Sequence, residues 1–152
     1  MRVSIETDNE QEEVVITIKC KERTAYIERL MAAVYMVDRQ ITVSQKEEVL
    51  LLDLDRVLYV ESVDGRCFVY TREEVYETGY RLYEMEQQLC QYLFARANKA
   101  SIVNLKKIRS IRTYVNRRLL LTMENGEQLI ASRQYAESIR GLLGIGRHGG
   151  HI

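Results

Sequence analysis

Proline and tryptophan are absent from these 152 residues, and phenylalanine occurs only twice. Without proline there is no polyproline spacer to hold separate modules apart. The length suits one ordinary domain, or one domain with a small appendage. Ten tyrosines carry most of the aromatic surface. Cysteine is scarce: Cys20, Cys67 and Cys90 are far apart and form no CxxC pair. An odd count suits a reducing compartment, and the plain expectation is three buried or half-buried thiols acting as small hydrophobes. No stretch approaches the roughly 20 apolar residues of a spanning helix. Residues 1–6 turn acidic at once where a leader would be apolar. These absences lead us to expect a soluble cytoplasmic protein.

Histidine is nearly missing as well. His148 and His151 stand together in the C-terminal tail, so Cys67 as a nucleophile lacks any histidine outside that tail. Residues 144–149 match GxGxxG, but no strand precedes them and too little chain follows for a βαβ unit. No paired carboxylates are evident, since Glu84 and Glu86 fall on a helix surface. We therefore expect no enzyme, no catalytic residue, no metal, no cofactor and no small-molecule substrate.

The charges that are present are sorted along the chain. Net charge is zero, yet residues 94–140 hold ten basic side chains against three acids, a net +7. Residues 1–93 hold eleven basic and nineteen acidic groups, a net −8. Such a chain can turn a cationic face to a polyanion and keep its acidic face away. Nucleic acid is the leading partner on this ground, and an acidic protein also fits.

The expected elements run as follows. Residues 3–7 and 14–19 alternate like strands about a turn at Asp8-Asn9-Glu10. Residues 22–37 switch to helical period, with Ile27, Leu30, Met31 and Val34 on one stripe and Tyr26, Ala33 and Met36 off it. Residues 1–40 thus read as a ββα extension too small to fold alone, a candidate dimerisation element. Strands are expected at 41–43, 49–52, 57–61, 66–70 and 75–77, with Asp64-Gly65 as a hairpin turn. Thr78 is placed to cap a helix running to residue 92, with Leu82, Met85 and Leu89 inward. Residues 93–96 return to strand, and 102–108 suggest a short helical turn. Residues 111–114, 119–123 and 128–131 form a meander through Asn116-Arg117 and Asn125-Gly126. Ser132 is placed to cap a helix over 133–143 that Gly144 ends, and 145–152 form a tail. The fold class is α+β, mainly antiparallel β with short helices: a ββα unit over 1–40, then a β-rich domain over 41–144.

Residues 93–108, LFARANKASIVNLKKI, resemble the signature of LytTR DNA-binding domains, in which a strand ending Phe-x-Arg leads through a polar turn to a Val-Asn-x-x-x-Ile run. Three further pieces fall in family order: Val57-Leu58-Tyr59-Val60-Glu61-Ser62, Met123-Glu124-Asn125-Gly126-Glu127 and Ala131-Ser132-Arg133-Gln134-Tyr135. The resemblance covers about residues 46–143 and implies a stand-alone bacterial transcriptional regulator. Members of this family present loops, with no recognition helix, to successive major grooves of double-stranded DNA. Carried over by position, three loops should face DNA: 64–67 with Arg66, 97–99 with Asn98 and Lys99, and 132–134 with Ser132, Arg133 and Gln134. Arg117 and Arg118, at a turn in the cationic segment, are added as phosphate contacts. Arg96 is expected to support its loop, and Asn104 to bond backbone. Lys106, Lys107 and Arg109 are open between phosphate contact and a solvated face. Arg133 stands where the helix dipole disfavours a cation, which argues for an anion nearby. A homodimer is the expected assembly. The alternative is an adaptor whose basic face docks an acidic or membrane-associated regulatory protein; RNA binding ranks third, because stacking platforms are not obvious.

Overall fold

A computed structural model describes residues 1–37 and 39–145. Among the described residues ten strands form two antiparallel sheets. The larger has seven, in the order β2-β1-β5-β4-β3-β7-β6. Its members are β1 (Gln40–Gln45), β2 (Glu48–Asp53), β3 (Tyr59–Val63), β4 (Arg66–Tyr70), β5 (Val75–Thr78), β6 (Phe94–Asn98) and β7 (Ser101–Asn104). The smaller is the meander β8 (Ile108–Tyr114), β9 (Arg118–Met123) and β10 (Gln128–Ala131). Three α-helices among the described residues complete the fold: α1 (Ala25–Met36), α2 (Leu82–Leu89) and α3 (Arg133–Leu143). No helix among the described residues is long and apolar enough to cross a membrane.

Alternation explains the layering. Val60 and Ile102 point to one face of the large sheet, where Leu82, Met85 and Leu89 of α2 close a first core. Tyr59 and Val103, one residue away, point to the other face and join Leu119, Leu121 and Met123 of β9 with Ala136 and Ile139 of α3 in a second core. The β3–β7–β6 end of the sheet is therefore buried on both sides. Fully burying one such aliphatic side chain is worth about 1.5–3 kcal/mol, so the double coverage stabilises this end of the sheet.

The hairpin turns Asp64-Gly65 and Asn125-Gly126 form where expected, with Gly65 and Gly126 at positive φ. The β1–β2 turn carries Lys46 and Glu47 at φ 51° and 68°, without any glycine to announce it. Residues 102–108 split into β7 and a 3-10 turn, Leu105–Lys107. Thr78 does not cap a helix: it pairs with Cys67 as the last residue of β5, and α2 begins at Leu82 after Arg81, whose N–H is bonded by Glu84. Sheet pairing absorbed the residue that local sequence offered as a cap.

The two strands expected in the N-terminal unit are absent. The turn forms, with the Gln11 N–H donating to the Asp8 carbonyl at 3.1 Å, but residues 1–24 hold neither helix nor strand. Helix α1 consequently covers no strands of its own. It buries Ala32 and Met36, lies against α3 and the 3-10 turn Cys90–Tyr92, and is tied by Arg29 Nη1 to the Leu143 carbonyl at 3.1 Å. The cysteines also depart from expectation: only Cys67 is buried, while Cys20 and Cys90 are exposed.

Candidate nucleic-acid interface

The turn between β6 and β7 is held from three sides. A bulge between Arg96 and Asn98 swings the end of β6 outward. Arg96 donates from Nη1 to the Lys99 carbonyl at 2.9 Å, and from Nε and Nη2 to Glu86 Oε1 at 3.1 and 2.8 Å. Its charge is thus used inside the fold, and it supports the loop as anticipated. Asn98 Nδ2 donates to the Ile130 carbonyl at 2.9 Å, while its Oδ1 accepts from the Ala100 N–H at 2.8 Å. Both ends of this amide are engaged, which leaves the exposed Lys99 at the tip of a stiff turn.

The third expected loop is bonded to the second. The Ser132 N–H donates to the Ala97 carbonyl at 2.8 Å, so the entry to α3 is fixed beside the β6–β7 turn. Ser132 occupies the N-cap, but its hydroxyl makes no capping bond, and the first turn of α3 carries no acid. The positive end of the helix dipole is left to whatever lies in front of it. The β8–β9 turn completes the arrangement, with Asn116 and Arg117 both left-handed at φ 60° and 62°. A non-glycine residue in that region costs on the order of 1 kcal/mol, and here the cost is borne by an arginine.

These pieces enclose an open concavity of about 720 Å³ lined by Asn98, Lys99, Ala100, Arg117, Ser132, Arg133, Gln134 and Glu137. Six of the eight residues selected from sequence line it. Among the described residues, Lys99, Arg117 and Arg133 take part in no ion pair, so three cations from three separate loops face one space. Glu137, paired to Arg140 at 3.3 Å, is the acid at its margin. Sequence reading passed over it, although it lies one helical turn beyond Arg133.

Arg66 and Arg118 lie elsewhere. Arg66 is bidentate to Glu77 at 2.8 and 2.6 Å, with its guanidinium 5.6 Å from the Phe68 ring centre. That partner holds the Glu77 carboxyl below the usual range. Arg118 donates to the Val115 carbonyl at 3.1 Å and covers Tyr114 at 4.9 Å, so it clamps the β8–β9 turn from behind. Cys67, counted with the first loop, points into the first core at 2% exposure, and burial pushes its thiol pKa up. It cannot serve as a loop-tip handle for alkylation. Lys106 is half-buried, its pKa lowered by burial, with Nζ 3.7 Å from Met36 Sδ, and Lys107 pairs with Asp55 at 3.5 Å. The GxGxxG run from residue 146 onward and both histidines lie outside the described residues.

Acidic groups gather at a different place. Glu61, Glu73, Glu74 and Glu127 border a second concavity of about 390 Å³ around the stacked rings of Tyr59 and Tyr70, whose centres are 4.4 Å apart.

Residues 47–144 match the family model described as the LytTr DNA-binding domain. The chain belongs to this family. A solved LytTr DNA-binding domain from Bacillus cereus superposes with a TM-score of 0.65 at 30% identity, covering 69% of this chain and 96% of that one. The sensory transduction protein LytT of Bacillus cereus is 33% identical over 100 residues, 66% of this chain but 41% of LytT. The chain therefore spans about two fifths of the LytT relatives it matches. An uncharacterized HTH-type transcriptional regulator of Staphylococcus aureus is 24% identical over 147 residues, which is 95% of this chain and 99% of that protein. Similarity to that relative extends past the family match into the α1 region.

Proposed function

We propose that this LytTr member is a transcriptional regulator that holds double-stranded DNA in the concavity between the β6–β7 turn, the β8–β9 turn and the start of α3. The observation that carries this reading is the convergence of Lys99, Arg117 and Arg133, none ion-paired among the described residues, on one open surface. Lys99 and Arg117 sit at loop tips where a long cation reaches phosphate oxygens. Arg133, at the rim of a helix end, has the forked geometry that reads guanine in a major groove. Asn98 and Ser132 position those side chains through the backbone bonds described above. The β3–β4 turn emerges on the same edge of the sheet, because Ser62 N–H bonds the Ala100 carbonyl at 2.8 Å. It sits two strand spacings away, about 10 Å, and forms the flank of the same face. The acidic groups around Tyr59 and Tyr70 line a separate concavity that shares no residue with this one, and charge separation of that kind favours one orientation toward a polyanion.

The test is titration of a labelled duplex at several salt concentrations. Affinity should fall steeply with salt as counterions compete. Combined replacement of Lys99, Arg117 and Arg133 by alanine should remove most binding, while Arg66→Ala, already spent on Glu77, should change it little. Binding that ignores salt, or survives the triple replacement in a folded protein, overturns the proposal.

A further inference from the structure

The seven-stranded sheet has one covered edge and one open edge. At β6 the Asn98–Ile130 and Ser132–Ala97 bonds seat β10 alongside. At β2 no strand follows among the described residues. An exposed edge strand with apolar side chains invites pairing, and proteins normally blunt it. Here acids stand only at its ends, Glu48 and Asp53, and between them Val49 and Leu51 are 73% and 69% exposed on the outer face of a strand six residues long.

The same chain carries an unpaired strand-like segment of the same length. Residues 14–19, Val-Val-Ile-Thr-Ile-Lys, have the β-branched composition of a strand but no sheet partner, and Val15 and Ile16 are 62% and 61% exposed. Antiparallel alignment against β2 gives one register that sets the apolar residues of the two segments together and matches the charges at one end, with Thr17 opposite Leu50 and Val14 opposite Asp53. Lys19 faces Glu48, Ile18 faces Val49, Ile16 faces Leu51, and Val15 faces Leu52 on the core side.

We propose that residues 14–19 of one copy add as an eighth strand to β2 of a second copy, reciprocally, so that two exchanged strands close a two-fold dimer. Backbone bonds supply affinity, and the Ile16, Ile18, Val49 and Leu51 surface supplies an apolar face. Direct β2-to-β2 pairing of two copies is disfavoured, because the antiparallel arrangement sets Glu48 against Asp53 at both ends. Pairing within one chain is hindered by the tether. Residues 20–24 must lead from the Glu48 end of β2 to the start of α1, and α1 is anchored there to α3 through Arg29. The assembly does not depend on the DNA reading and is measured without DNA.

The experiment uses the full chain with the exposed Cys20 and Cys90 replaced by serine. One preparation carries Ile18→Cys, a second carries Val49→Cys, and the two are mixed under mild oxidation. The expected product is a covalent dimer containing one of each. Lys19→Glu should weaken dimerisation in sedimentation by roughly tenfold, since two such pairs form per dimer, and adding Glu48→Lys should restore it. A chain with both cysteines that closes only on itself, cross-linking by Val49→Cys alone, or a folded full chain that stays monomeric at high micromolar concentration would each overturn the proposal. Circular dichroism of every variant separates lost pairing from lost folding.

Discussion

Asn104 shows how one amide can hold a fold together. It is fully buried, donates from Nδ2 to the Val57 carbonyl at 2.9 Å, and accepts from the Lys106 N–H at 3.1 Å. Asn104→Ala leaves both partners unsatisfied, so a loss of about 2–3 kcal/mol is expected in denaturant unfolding. The cations of the concavity should behave oppositely, with stability unchanged and binding lost. Arg133→Ala should cost about 1–3 kcal/mol of affinity for a specific site, read by titration against matched and mismatched duplexes. Lys99→Ala should weaken binding uniformly and lower the salt slope by about one. Equal affinity for wild type and both variants would remove these side chains from the DNA face.

At the scale of elements, two left-handed positions carry testable strain. Gly144 ends α3 at φ 71°, and a Cβ there would lie 2.8 Å from Ala25 Cβ in α1. Gly144→Ala should therefore destabilise by about 1–2 kcal/mol through its backbone alone and more through the clash, and Ala25→Gly should recover only the second part. Thermal unfolding of the three variants separates the two terms. Arg117, at φ 62° in the β8–β9 turn, offers the reverse case. Arg117→Gly relieves the backbone at the expense of greater unfolded-state freedom, terms of about 1 kcal/mol each. Stability should hardly move while DNA affinity falls. A large drop in melting temperature would mean that the arginine serves the turn and not the ligand.

For the molecule as a whole, the junction between the sheets responds to alkali. Tyr59 is 5% exposed and stacked on Tyr70, and its pKa is pushed up to about 12 by burial first, then by Glu127, Tyr70 and Glu61. The unfolded chain ionises this phenol near the ordinary value of about 10. Its contribution is thus fully present below pH of about 10 and is lost as pH rises toward 12. Tyr59→Phe should shift the alkaline unfolding midpoint upward, while at neutral pH it loses only the hydrogen bond with Asn125, about 1 kcal/mol, as followed by circular dichroism across that window. An unshifted midpoint would place the alkaline weakness elsewhere.

Sequence alone determined the alternation of the strands, the glycine turns at 64–65 and 125–126, the limits of α3, and the basic excess after residue 93. Each depends on neighbours within a few residues, where periodicity and backbone preference act directly. It also carried the resemblance of the LFARANKASIVNLKKI run and the SRQY helix entry to the family. Tertiary structure decided the rest. Arg66 and Arg133 look equally available in the sequence, yet pairing of β4 with β5 sets Glu77 beside the first, and the second forms no ion pair among the described residues. Asn98 reads as a loop tip, but the neighbouring β10 turns its amide inward. Thr78 was claimed by a sheet and lost as a cap, and the β-branched residues 14–19 found no partner strand within the described fold. Sheet register and ion pairing join residues distant in the chain, and local pattern does not specify which distant groups will meet.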